Sequence, residues 1–102
     1  MRTDFSRFSD PGLLILASLA AEPRHGYAMM RDIAQFSGTH LEPGTLYGAL
    51  TRLEAQGWIQ PLPTEDRRRP YALTVAGATA LRNQLATLRA VATIGWQRLE
   101  AR

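Results

Sequence analysis

Three consecutive arginines, Arg67, Arg68 and Arg69, form the densest positive charge in the chain. A guanidinium group is always charged, and its planar fork of donors fits phosphate oxygens. All 12 basic residues are arginine, and the 9 acidic residues reduce the formal net charge to +3. A net charge of this size does not by itself indicate a polyanionic partner, so the meaning of the triplet depends on where the fold places it.

Catalytic and metal-binding groups are sparse. The two histidines, His25 and His40, lie apart, and neither belongs to a Ser-His-Asp, Cys-His or paired-carboxylate arrangement. The chain has no cysteine, which excludes disulfides, thiolate metal sites and cysteine nucleophiles. The glycines are scattered and form no phosphate-binding loop. The sequence therefore predicts a protein that is not an enzyme, with no cofactor and no metal site.

Length and apolar patterning limit the organisation of the chain. A chain of 102 residues has room for one domain, and a partner subunit would help to complete its small core. The longest mainly apolar stretch, residues 11–21, is about half of the roughly 20 residues that a membrane helix needs. The residues before it carry both charge signs, which a signal peptide does not. We therefore expect a cytoplasmic protein that does not bind membranes.

Two helices are predicted in the first part of the chain. The first, residues 11–22, begins at Asp10-Pro11 and is apolar on all sides, as a buried helix is. The second, residues 26–37, ends at Gly38. Its predicted apolar face contains Tyr27, Met30, Ile33 and Ala34.

A third helix, residues 43–57, has two contrasting faces. Leu46, Leu50 and Leu53 form a stripe with the spacing of a buried face. The opposite face contains Gly44, Gly48, Thr51 and Ala55, flanked by Thr45, Tyr47 and Arg52. A solvated helix usually carries long charged side chains there. A face of small residues suggests that something large approaches closely.

Two short strands and a long helix complete the chain. The strands, residues 58–62 and 70–73, are joined by a charged turn that contains the arginine triplet. Thr74 is a suitable N-cap for a helix over residues 75–101. This helix would be about 40 Å long and would project from a domain whose radius of gyration is about 13 Å. Its apolar and small residues follow the spacing of a coiled-coil seam: Leu81, Leu85, Leu88, Ala92, Gly95 and Leu99.

This order predicts a mainly α fold with a small β-hairpin: a winged helix-turn-helix followed by a long dimerisation helix. Residues 1–74 would hold the N-terminal segment and the DNA-binding unit, and residues 75–102 the dimerisation helix, in one compact unit. In helix-turn-helix proteins the second helix enters the major groove of DNA. The predicted DNA contacts are Tyr27, Thr45, Tyr47, Thr51, Arg52, Arg67, Arg68 and Arg69.

Each predicted contact also has a simpler interpretation. The threonines would contact base edges, while the tyrosines and arginines would contact phosphates. The tyrosines could instead pack at the core, the threonines could be solvated, and the triplet could be a solvated turn. A winged helix that binds proteins rather than DNA is the alternative function.

Four motifs in this order resemble the PadR family of bacterial transcriptional regulators. His25-Gly26-Tyr27 is similar to the family's hGY motif, and residues 44–50 are similar to GTLYxxL. Residues 52–59 are similar to RLExxGxI, and residues 68–77 to RRxYxLTxxG. The chain departs from the family pattern at Glu42, where a small residue is common, and at Tyr71, which stands alone where a tyrosine pair is common.

The resemblance implies a homodimeric repressor that binds an inverted repeat in double-stranded DNA. The resemblance to compact members of the family also implies a ligand, because some of those members bind flat aromatic compounds at the dimer centre. We therefore hypothesise that Trp96, with Ile94 and Phe8, lines a pocket for a small aromatic effector. The alternative is that Trp96 packs against the first helix of the partner subunit.

Overall fold

The computed structural model describes residues 10–102 and has four helices and three strands in that part of the chain. Phe8, from the effector hypothesis, lies outside the described residues. In chain order the elements are α1 (Pro11–Leu19), β1 (Arg24–His25), α2 (Gly26–Ser37), α3 (Pro43–Ala55), β2 (Ile59–Pro61), β3 (Pro70–Leu73) and α4 (Val75–Glu100). The predicted fold class and order of helices are confirmed, although α1 ends three residues earlier than predicted.

The sheet has one strand more than the sequence predicts. Its order is β1-β3-β2, with β3 antiparallel to both neighbours. Arg24 pairs with Tyr71 on one side of β3, and Ile59 pairs with Leu73 on the other. The hairpin is therefore joined to the residues just before α2. The predicted edge position of the Pro61 strand is confirmed, since β2 has β3 as its neighbour on one side only.

The core lies where α1, α2, α3 and the sheet meet. Its fully buried side chains include Ile15, Met29, Leu46 and Ile59. The predicted apolar face of α2 is wrong in one respect. Its buried positions are Gly26, Met29 and Ile33, whereas Tyr27 is 56% exposed. Because these three positions have i, i+3, i+7 spacing, they define a face that leaves Tyr27 on the outside.

The start of α4 is fixed to the end of α3 and to the hairpin. The Thr74 hydroxyl donates to the Gly57 carbonyl at 2.7 Å and accepts from the backbone N–H of Gly77 at 3.0 Å, so the predicted N-cap is confirmed. A β-carbon at Gly77 would overlap the carbonyl oxygen of Trp58. Only glycine allows α4 to approach the backbone of Trp58 this closely, which gives the LTxxG motif a packing reason.

The C-terminal part of α4 projects from the domain, as its predicted length requires. Leu81 is buried at 6% exposure, and beyond it every residue of α4 is exposed except Leu88, which is half-buried. The longest dimension is 55 Å and the radius of gyration is 15.3 Å, above the roughly 13 Å of a compact domain. Within residues 10–102, none of the helices combines the length and apolar character needed to cross a membrane.

Candidate nucleic-acid interface

Helix α3 presents an open face of small residues. The predicted stripe Leu46, Leu50 and Leu53 is buried, with Ala49 beside it. On the outer face, a β-carbon at Gly44 would have no neighbour within 4 Å. The backbone of this helix is therefore accessible to a large partner.

Thr51 and Thr45 are both exposed on α3. The Thr51 hydroxyl donates to the carbonyl of Tyr47 at 3.0 Å, a bond within the helix that uses its only proton. The oxygen lone pairs and the methyl group of Thr51 remain available. This side chain can accept a hydrogen bond from a base amino group or contact a thymine methyl group.

Tyr47 connects α3 with the beginning of α2. Its side chain is about half exposed, and its hydroxyl lies 2.7 Å from the position that a β-carbon at Gly26 would occupy. Gly26 therefore makes room for Tyr47, and the tyrosine combines packing with an exposed hydroxyl. Tyr27, one residue further, faces outward beside Arg31, whose guanidinium carbon lies 5.9 Å from the centre of the Tyr27 ring.

Strand β1 is held by a small polar network. The buried Ser18 hydroxyl donates to the Asp32 carboxylate at 2.7 Å. Arg24 Nε donates to the Ser18 carbonyl at 3.3 Å and lies 3.7 Å from the same carboxylate. These contacts join α1, β1 and α2, so they fix the backbone position of the neighbouring His25.

The arginine triplet forms the tip of the wing, the hairpin made by β2 and β3. Glu65 and Arg68 exchange backbone hydrogen bonds of 2.7 and 2.8 Å across a two-residue turn. The two turn residues, Asp66 and Arg67, have φ angles of 48° and 66°, the signature of a type I′ turn. Arg67 thus occupies the tip in a left-handed conformation that costs a non-glycine residue about 1–2 kcal/mol.

The three arginines have different surroundings. Arg69 Nη1 donates to the Leu62 carbonyl at 3.3 Å, so this guanidinium lies back against the wing. Arg68 Nη1 lies 3.3 Å from Nε2 of His25. Arg67 is exposed at the tip. The structure therefore brings Arg68 near the start of α2 and leaves Arg67 exposed at the tip of the wing.

Arg52 lies on a different flank from Tyr47. It borders a cavity of about 330 Å³ between α1, α3 and α4, together with Asp10, Gln56 and Gln84. Four of the predicted phosphate contacts consequently form two groups. Tyr47, Tyr27 and Arg68 lie around the beginning of α2, and Arg52 lies towards α4.

The predicted dimerisation residues divide between the core and the surface. Leu81 packs in the core of its own chain, so the surface left for a partner begins at Leu85. Leu85 is 48% exposed and Leu99 58% exposed, and Leu88 and Ala92 lie between them. Trp96 is 66% exposed and Ile94 is 44% exposed. Positions two apart on a helix point about 200° apart, so Ile94 and Trp96 do not share a face.

Comparison with known proteins decides the family. The model of the "Transcriptional regulator PadR-like family" matches residues 15–83, which include the second half of α1, the whole wing and the start of α4. The chain belongs to this family. Regulators of the PadR family bind DNA, and the family is one of transcription regulators rather than enzymes. The resemblance seen in four short motifs and the prediction of a non-enzymatic protein are therefore confirmed.

Solved structures with the same fold include a member of this family. A PadR family regulator from Clostridium difficile R20291 is 26% identical, with a TM-score of 0.79 over 87% of this chain and 97% of that chain. RosR from H. salinarum is 26% identical, with a TM-score of 0.69 over 90% and 94% of the two chains.

A relative in sequence is an uncharacterized 37.1 kDa protein in transposon TN4556 of Streptomyces fradiae. It is 47% identical over 78 residues, or 76% of this chain. The matched region is 23% of that relative's length.

Proposed function

We propose that this PadR-like protein is a homodimeric repressor that binds an inverted-repeat operator. The observation that carries the proposal is the open outer face of α3, where Gly44 and Gly48 leave the backbone accessible. The major groove of B-DNA, about 12 Å wide, admits one helix. A helix without bulky side chains on its outer face can approach the base edges closely.

The side chains around this face have matching chemistry. Thr45 and Thr51 would contact base edges. Tyr27, Tyr47 and Arg52 would contact phosphates, as would the wing arginines Arg67 and Arg68. Arg69 would have a smaller part, because its Nη1 donates to the Leu62 carbonyl. Glu42, at the N-cap of α3 without a side-chain capping bond, would repel a phosphate, so we place no phosphate contact there.

The apolar seam of α4, from Leu85 to Leu99, would supply the dimer contact. The apolar residues of α4 beyond Leu81 are exposed in the single chain, apart from the half-buried Leu88, and a second copy would cover them. A two-fold symmetric dimer formed in this way would present its two α3 helices to successive major grooves, about 34 Å apart.

Gly48→Leu is expected to weaken DNA binding by roughly 10- to 100-fold, because the new side chain would hold α3 away from the base edges and remove contacts worth about 1–3 kcal/mol each. The folded domain should tolerate the change. A β-carbon at Gly48 would meet only Arg52 Nη1, at 3.6 Å, and leucine favours a helix over glycine. Fluorescence anisotropy with duplexes selected from a random pool measures the effect.

The matched control is Ala90→Leu, which adds the same side chain to the exposed outer side of α4. It should leave DNA affinity unchanged. Equal affinity of Gly48→Leu and the wild type would contradict the placement of α3 in the groove.

The proposal also includes a small aromatic effector that weakens DNA binding and so relieves repression. Because Ile94 and Trp96 point to different sides of α4, a shared pocket would combine these residues from two protomers. In a Trp58→Phe background, Trp96 is the remaining tryptophan. Titration with planar cationic and phenolic compounds should quench or shift its emission, and no response across such a panel would contradict the pocket.

A further inference from the structure

His25 makes contacts with two hydrogen-bond donors, and a neutral imidazole can accept a hydrogen bond from only one of them. Its Nδ1 accepts a hydrogen bond from the backbone N–H of Ala28 at 3.3 Å, which caps α2. Its Nε2 lies 3.3 Å from Nη1 of Arg68, 43 residues away in sequence. A neutral imidazole has one acceptor nitrogen, and the other nitrogen carries the proton.

The helix cap decides where the proton lies. Because the N–H of Ala28 is held in the first turn of α2, Nδ1 must be the acceptor and Nε2 the donor. Guanidinium nitrogens are also donors only. Nε2 of His25 and Nη1 of Arg68 are therefore two donors that face each other across 3.3 Å, and they cannot bond to one another.

An acceptor that both groups reach would satisfy this pair. We propose that His25 and Arg68 together bind one non-bridging phosphate oxygen of the DNA backbone. This inference rests on the proposed function and adds a contact that the sequence did not predict, since His25 is not among the predicted DNA contacts. Charge-assisted hydrogen bonds from two sides position a phosphate without reading the base sequence.

The position of the pair fits a backbone contact. His25 precedes Gly26, against which the Tyr47 hydroxyl of α3 lies. Arg68 follows Arg67 at the tip of the wing. The pair thus lies between the outer flank of α3 and the wing. We call His25 and Arg68 the phosphate clamp; one side of it comes from β1 and the other from the hairpin. The backbone of β1 is fixed by the Arg24 and Ser18 contacts described above.

Carboxylates border the same cleft, which has a volume of about 590 Å³. Glu22 is paired with Arg24 at 3.4 Å. Glu65 and Asp66 belong to the wing turn, and Glu65 lies opposite Arg68 in the backbone pairing. The carboxylate of Glu65 or of Asp66 would compete with phosphate for Arg68. Glu65→Gln should therefore tighten DNA binding by a few-fold.

The decisive variant is His25→Ser. Serine is a good N-cap, so its hydroxyl can accept from the Ala28 N–H, but it is too short to reach a phosphate beside Arg68. We expect DNA affinity to fall about tenfold, with an unchanged salt dependence because the lost group is neutral. Arg68→Ala should weaken binding and also reduce the log–log salt slope by about 0.9 per protomer.

A double-mutant cycle separates a shared phosphate from two independent effects. In the Arg68→Ala background, His25→Ser should cost less than twofold, because the phosphate has already lost its clamp. Arg102→Ala, which removes the same charge at the far end of the chain, is the matched control and should leave affinity and slope unchanged. His25→Asp also caps the helix and should weaken binding more than His25→Ser, since it adds a negative charge.

The outcomes also separate this inference from the proposed function. Failure of the wild type to bind any DNA would overturn both. Wild-type DNA binding with full additivity in the cycle, or with no effect of His25→Ser, would overturn the clamp and leave the proposed function standing. Thermal unfolding followed by circular dichroism verifies that the His25 variants keep the fold.

Discussion

Replacement of Arg67, Arg68 and Arg69 by alanine is expected to weaken binding to every DNA duplex by roughly 100- to 1,000-fold at physiological salt. The weakening should be uniform across sequences, because phosphate contacts carry no base information. Arg69 is bonded to the Leu62 carbonyl, so we assign the phosphate contacts mainly to Arg67 and Arg68. With two such contacts per protomer, the log–log salt slope of a dimer should decrease by about 3.6. Anisotropy titrations over a series of salt concentrations measure both quantities.

Two single variants of the wing turn separate the effect of charge from the effect of turn geometry. Arg67→Gly removes the charge and relieves the left-handed strain, so it should weaken DNA binding while the domain becomes slightly more stable. Asp66→Gly also relieves strain but removes a negative charge, so it should tighten binding. An unchanged salt slope in the triple variant would contradict the wing assignment and favour a winged helix that binds proteins.

The second large effect concerns α4. Leu85→Asp combined with Leu99→Asp is expected to convert the dimer to a monomer, since both leucines are exposed in the single chain and would carry charge into the seam. Specific DNA affinity should fall at least 100-fold, because each half-site would then bind independently. Sedimentation equilibrium measures the oligomeric state, and anisotropy measures the affinity.

Leu81 belongs to the same heptad pattern as Leu85 and Leu99 but stabilises the fold of the single chain rather than the dimer. Its side chain belongs to the core of its own chain, so Leu81→Ala should cost about 2–5 kcal/mol of folding free energy, whereas the two aspartates should cost the monomer little. Ala90→Asp, on the outer side of α4, should leave the dimer intact. A dimer that survives the double substitution would contradict the contact through α4.

Much of the fold follows from rules that act over a few residues. The Asp10 carboxylate caps α1 through the N–H of Gly12 at 2.7 Å, and Gly38 ends α2 with a φ of 74°. The stripe of Leu46, Leu50 and Leu53 likewise follows from helical spacing alone. These features could be predicted because cap, turn and face are encoded by neighbouring residues.

Other features depend on contacts that spacing does not encode. Strand β1 has two residues and no alternating pattern, and it forms only because β3 lies beside it. The type I′ turn contains Asp66 and Arg67 rather than the usual asparagine and glycine, so the charged residues predict a turn there but not its type. His25 and Arg68 meet only in the folded chain. For the same reason, the heptad pattern could not distinguish the buried Leu81 from the exposed Leu85.

Selection of bound sites from a pool of random DNA duplexes tests the proposed function most directly. A dimer with two α3 helices should enrich an inverted repeat whose half-sites are centred about 10 base pairs apart or a multiple of this spacing. Recovery of such a repeat by the wild type, and its loss with Gly48→Leu, is the predicted result. No enrichment above the starting pool, at a salt concentration where the protein is folded, would contradict sequence-specific DNA binding.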